Sequence, residues 1–189
     1  TDKTKYYVSA NASRVKGVAK NDEFNRYTVR LNLDTEITSW LKYGTNTVLG
    51  YHDRPGEKAN ISNAMKMNPL TSPYDEDGNI RLQPNTDDMS VTNPLEGLNI
   101  QKEDVARSMN TINYLQVDFP FLKGLSFKTI AGYNFRSRRI ETYKSSTATL
   151  EGQSKKGVAT VNNQYKQEGS IENILNYNRQ FGLHNVDLT

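Results

Sequence analysis

In one stretch of this chain every second side chain is apolar and the ones between are polar: Tyr27, Val29, Leu31 and Leu33 alternate with Arg26, Thr28, Arg30, Asn32 and Asp34. Successive side chains of an extended strand point to opposite faces, so the stretch reads as a strand with one greasy face and one wet face. A helix would scatter the same residues around its circumference. The pattern returns at Leu125, Phe127, Thr129, Ala131, Tyr133 and Phe135 against Ser126, Lys128, Gly132 and Asn134, with Ile130 the exception. It is weaker at Leu41, Tyr43, Thr45, Thr47, Leu49 and Tyr51.

Carried along the whole chain, this reading predicts about seven strands, near 5–12, 25–36, 41–52, 110–119, 125–136, 169–180 and from 185 onward. Each is close to the ~10 residues that cross an outer membrane at a tilt. Tight turns are expected around Thr38 and Ser39, at Pro120–Gly124 and at Phe181–Leu183, and long connections at 13–24, 53–109 and 137–168. Compact domains join their elements through ~4–6 residues. Membrane barrels instead place short turns at one end and long loops at the other. The expected fold is therefore all-β: an antiparallel transmembrane β-barrel segment of about seven strands with long extracellular loops.

Composition fits a chain that buries few side chains per strand. The apolar fraction is 35%, and even with the 12 glycines added it stays below the ~45–50% usual for soluble domains. Yet 11 Tyr and 6 Phe, with a net charge of only +3, argue against disorder. The weak, scattered excess of Lys and Arg gives no nucleic-acid footprint. The absence of cysteine removes disulfide frameworks, thiolate metal sites and cysteine nucleophiles. No run reaches the ~20 apolar residues of a membrane helix, a test that barrels evade because their strands alternate faces. No signal peptide opens the chain, and both ends look cut from something longer.

Aromatic residues fall where membrane borders are expected, with Trp40 and Phe121 beside short turns and Tyr51, Tyr133 and Phe135 toward the long-loop ends. The polar strand faces, with Arg26, Arg30, Asp34, Lys42, Asn46, Gln116, Asp118, Lys128, Asn134, Glu172 and Asn176, are expected to line a lumen. Within the 53–109 loop, Glu57–Met67 predicts a short helix ended by Pro69, and Pro73–Asn79 a turn, since Asp-Gly supplies left-handed conformations.

Catalytic and metal chemistry find little support. Asp75, Glu76 and Asp77 precede a glycine but lack the spaced ligands and closing Glu of a calcium loop. His52 and His184 fall at opposite strand ends and cannot share a metal. No phosphate loop or nucleophile elbow is present. The chain is read as neither an enzyme nor a cofactor binder.

Several pieces together resemble the SusC/RagA family of TonB-dependent outer-membrane transporters. They are Lys5–Ser9, Arg26–Asp34 leading to Trp40–Gly44, Asn68-Pro69 with Tyr74–Gly78, Asn93–Leu95, Lys123–Lys128 with Ala131–Asn134, and Glu172–Tyr177 followed by Phe181 and His184. The resemblance implies that residues 1–189 are part of a ~22-stranded, plugged barrel in the outer membrane of a Gram-negative bacterium. It further implies uptake of oligosaccharides or peptides, a SusD-like surface lipoprotein as lid, and energy delivered by TonB through parts of the protein outside this segment. Tyr51, Tyr74, Asp75 and Asp77 are then the candidates for meeting cargo or partner, by aromatic stacking and by accepting hydroxyl protons. A soluble β-sandwich carbohydrate-binding module and a passive porin-like barrel are the alternative readings.

Overall fold

A computed structural model of the chain describes residues 3–85 and 88–189. Its strands are β1 (Thr4–Lys16), β2 (Glu23–Thr38), β3 (Leu41–Asp53), β4 (Gln101–Asp118), β5 (Leu125–Lys144), β6 (Val158–Phe181) and β7 (His184–Leu188). All seven lie side by side, in chain order, in one antiparallel sheet. A sandwich would need a second sheet. The helices α1 (Ile61–Lys66) and α2 (Leu150–Lys155) sit in the connections at one end, called the outer end below.

Register converts the alternation of single strands into two continuous faces. Leu31 lies opposite Thr47, Thr47 opposite Thr111, Thr111 opposite Tyr133, and Tyr133 opposite Gly169. Paired residues share a face, so Val29, Leu31, Leu49, Met109, Leu115, Phe127, Phe135, Ile171 and Leu175 all fall on one side of the sheet. This apolar face is bare: Val29 is 44% exposed, Leu49 45% and Ile171 75%. The buried residues lie elsewhere, Val91, Asn93, Ala148 and Thr149 in the outer connections and Asp104 and Ala106 at the outer part of β4. The sheet carries no core of its own among the described residues.

The weaker alternation of β3 has a physical explanation. Thr45 and Thr47 fall on the apolar face, but their hydroxyls engage each other at 3.2 Å, and Thr47 engages Thr111 at 2.7 Å. Asn113 accepts from the Tyr43 hydroxyl at 3.0 Å and donates to Thr111 at 3.1 Å. Polar groups that satisfy one another avoid most of the cost of an apolar surround.

The strands are longer than the alternation predicts, most of all at the outer end. β4 begins at Gln101 and not at 110, β5 runs to Lys144, and β6 starts at Val158 and spans 24 residues. The long connections shrink accordingly from 13–24, 53–109 and 137–168 to 17–22, 54–100 and 145–157. The first of these is a short turn, so the alternation of short and long connections holds for the later two only. At the opposite end the turns are tight. Gly124 takes a φ of +94°, and a Cβ there would stand 2.1 Å from the Asn178 carbonyl oxygen.

The 54–100 connection folds on itself. Asn60 caps α1 by accepting from Asn63 N–H at 3.1 Å. The Asp75–Asn79 turn forms as expected, with Gly78 at φ +84° and Tyr74 bridged to Ile80. Asn93, 1% exposed, holds the whole together: its amide donates to the carbonyls of Pro73 and Arg81, both at 2.7 Å, and its oxygen accepts from Leu95 N–H at 2.9 Å. Asn93→Ala leaves the Arg81 carbonyl and the Leu95 N–H without these partners, while the Pro73 carbonyl keeps its bond from Arg81 N–H at 3.0 Å; a buried backbone group left unpaired costs ~1–3 kcal/mol. The expected result in the full-length protein is selective proteolytic cutting within 73–95, with the barrel itself still folded. Unchanged resistance of that segment would show that Asn93 is not its anchor.

Candidate functional site

Two regions carry polar chemistry: the sheet face opposite the apolar one, and the cap of connections at the outer end. On the first, register aligns Arg30 of β2 with Val48, Asn110, Asn134 and Glu168, and Asp34 with Gly44, Tyr114, Ile130 and Glu172. Arg26, Arg30, Asp34, Lys42, Asn46, Gln116, Asp118, Lys128, Asn134, Glu172 and Asn176 all fall on this one face. Near the short turns its charges neutralise one another. Lys42 pairs with Asp118 at 3.3 Å, Gln116 donates to Asp118 at 2.9 Å, the Tyr114 hydroxyl donates to Asp34 at 2.7 Å, and Lys128 stands 4.4 Å over the Tyr114 ring. Gly44 makes room for that ring, since a Cβ there would overlap Tyr114.

At the outer part of the same face, Asp104 is 4% exposed and accepts two hydrogen bonds from Arg138, from Nε at 2.7 Å and Nη2 at 2.6 Å. The forked guanidinium holds the Asp104 carboxyl below its ordinary range, with Arg54 at 3.9 Å adding to the effect. Arg54 also lies 4.7 Å over Phe24, and its N–H donates to the Asp104 carbonyl at 3.0 Å. Phe24 in turn packs against His52, centroid to centroid 5.6 Å. This cluster ties β2 and β3 to β4 and β5 at the base of the long connection. Sequence reasoning missed Asp104 because it falls inside what reads as a loop, 34 residues from its partner.

The three outer connections are fastened together. Ala59 N–H donates to the Lys20 carbonyl at 3.0 Å, Asn21 donates to the Glu57 carbonyl at 2.9 Å, and Lys58 stands 3.8 Å from Asp22. On the other side, Glu96 caps α2 by accepting from Leu150 N–H at 2.8 Å. Glu151 is clamped by Lys144 at 2.6 Å and Lys155 at 2.7 Å, which together pull its carboxyl down to about 2. A cleft of about 430 Å³ opens within the cap, lined by Asn60, Asn63, Thr92 and Glu96 among others.

The cargo or partner candidates do not come together. Tyr51 lies on the apolar face, 6.0 Å from the Tyr27 ring. Asp75 spends its carboxylate on the turn, accepting from Asn79 N–H at 2.7 Å and from the Asn79 amide at 3.3 Å. The Tyr74 hydroxyl accepts from Lys20 at 3.3 Å. Asp77 stands exposed at the tip. Among the border aromatics, Trp40 and Phe121 are exposed beside the short turns, while Tyr133 and Phe135 lie on the apolar face opposite Thr111 and Met109.

No family model matches the chain. Two curated proteins of Formosa agariphila resemble it along nearly its whole length: TonB-dependent receptor P3, 30% identical over all of this chain and 20% of the relative, and TonB-dependent receptor P39, 28% identical over 95% of this chain and 17% of the relative. The chain thus spans about a fifth of the curated relatives it matches. Among solved structures, the RagAB peptide importer superposes on it with a TM-score of 0.71 in the closed-closed state and 0.70 in the open-open state, at 21% identity, covering 95% and 97% of this chain and 21% of the importer chain. The sequence is similar to TonB-dependent receptors and the backbone to the RagAB importer, and the sheet is a fragment of a larger barrel.

Proposed function

We propose, from kinship with the TonB-dependent receptors, that the chain is a stretch of wall in an outer-membrane nutrient importer. The apolar face meets lipid, the polar face lines the lumen, and the fastened cap stands on the cell surface. The observation that carries this reading is the pair of continuous faces, one bare and apolar, the other polar and internally paired, in a sheet with no core of its own. Oligosaccharides or peptides are the cargo, a SusD-like lipoprotein closes over the cap, and TonB supplies energy through the rest of the protein. Trp40, Phe121 and Tyr51 mark membrane borders, and Asp77 is the cap residue most open to a partner.

Antibody raised to Asn68–Asn79, a largely exposed stretch of the cap, should label intact cells, and the same antibody should detect a large, heat-modifiable outer-membrane band. Uptake should cease when the inner-membrane gradient is collapsed. Labelling that appears only after permeabilisation would reverse the assigned orientation. Uptake that persists without the gradient would favour a passive, porin-like barrel.

A further inference from the structure

Charge on the polar face is balanced near the short turns and unbalanced near the outer end. There Arg26 and Arg30 on β2 and Arg136 on β5 share the face, separated by β3 and β4. Between them the floor is lowest at its middle, while the His52 ring stands beside Arg26, 3.7 Å from where a Cβ on Gly50 would lie, and Val48 and Asn110 follow Arg30 on the inward rung. Gly50 and Ser108 lie on the rung joining Thr28 to Arg136, and Ala106 on the next one outward. A Cβ on Gly50 would stand 2.5 Å from Ser108 Oγ, so even a methyl group would crowd this floor. Three strand spacings of ~4.8 Å put the two rims about 14 Å apart. The result is a shallow trough with guanidinium groups on both sides.

These three side chains are exposed, and none of them has a carboxylate within 4.0 Å among the described residues. Among the described residues the Arg26 side chain donates to Thr28 Oγ1, at 3.3 Å. The carboxylates at this height are already committed, Asp104 to Arg138, and Glu168 to Lys166 at 2.8 Å and to Asn134 at 3.1 Å. Unpaired like charges on a low-dielectric wall repel one another and project a focused field, which is a cost to the fold and a means of concentrating opposite charge. The planar fork of arginine matches the paired oxygens of carboxylate or sulfate.

We propose that this trough captures acidic groups on the transported oligomer, so that the cargo is anionic. The inference rests on the polar face being the lumen of an importer. Guanidinium groups on opposite rims suit an extended oligomer bearing more than one carboxylate, each held by the rim it passes.

The test uses the full-length protein in detergent and four probes: tetragalacturonate, the neutral tetrasaccharide cellotetraose, a tetrapeptide with two aspartates, and its asparagine counterpart. Titration calorimetry should show at least one acidic probe binding tenfold or more tighter than its neutral partner, with the preference shrinking as salt rises. The sugar and peptide arms identify which kind of oligomer carries the charge. The triple variant R26Q/R30Q/R136Q should lose at least tenfold for that acidic probe and leave its neutral partner unchanged. No acidic preference in the wild type, or one that survives in the triple variant, overturns the proposal. So does a triple variant that no longer runs as a folded, heat-modifiable band, since the arginines would then serve the barrel or its contents. Surface labelling and gradient-dependent uptake test the importer itself, so the trough can fail while the importer stands.

Discussion

Replacing Asp104 by asparagine in the full-length protein is expected to loosen the outer ends of β4 and β5 together with the base of the 54–100 connection. The substitution removes the charge that two nitrogens of Arg138 grip at 2.6 and 2.7 Å, at a site where the carboxylate is 4% exposed. Breaking such a pair costs ~3–5 kcal/mol when both partners are buried. The Arg138 side chain is 29% exposed and regains some water, which places the expected loss near the low end, about 3 kcal/mol. Hydrogen exchange should register it as lost protection at the Arg54 and Ala106 amides, with the lower halves of the same strands unaffected. The pH dependence has a definite sign. Asp104 titrates lower in the folded protein than in the unfolded chain, so its stabilisation is fully present above the ordinary aspartate value of ~3.9 and fades as pH falls through the depressed folded value. Wild-type protection should therefore hold at mildly acidic pH and fail only in stronger acid, and the asparagine variant should lack that acid transition. Equal exchange in the two proteins at neutral pH would mean that the ion pair contributes nothing to the outer end.

The second large effect separates the two faces. Leu31→Lys places an ammonium midway along the apolar stretch of β2, between Val29 and Leu33. At bilayer mid-depth a lysine or arginine facing lipid costs ~2–4 kcal/mol. Asn110→Lys puts the same charge on the opposite face, at an exposed position between Val48 and Asn134. In reconstituted full-length protein, urea titration should show a loss of that size for the first variant and less than about 1 kcal/mol for the second, where the ammonium stays hydrated. A reversed order would mean that the apolar face is turned inward.

How much of this was legible in the sequence depends on the part of the strand. Where one face meets an apolar medium, as from Tyr27 to Leu33 or Leu125 to Phe135, the medium imposes period two on the residues and the strand declares itself. Beyond that zone both faces are wet. Gln101–Asp104 and Asn162–Gln164 are polar at every position, and in composition nothing marks them off from loop. They are strands because a neighbour supplies ladder hydrogen bonds, pairing Lys102 with Thr142 and Asn163 with Arg139, and that is information about the partner. The charge imbalance of the polar face was hidden for a related reason. Arg26, Arg30 and Arg136 are all visible in the sequence, but which carboxylates are already taken is decided by registers that bring residues 34 apart into contact.

The order of strands in space is also their order along the chain, from β1 to β7. Every strand therefore has, as its template, the edge that the preceding segment has just completed, and the wall can grow like a fabric to which one thread at a time is added. The same arrangement frees the outer connections from any part in setting register. Extending a six-residue turn such as 17–22 to the size of 54–100 adds only about 2 kcal/mol of closure entropy. Insertion, deletion and exchange of whole caps are then cheap events for such a molecule, and a lineage can change what it recognises at the surface while inheriting the weave beneath it unaltered.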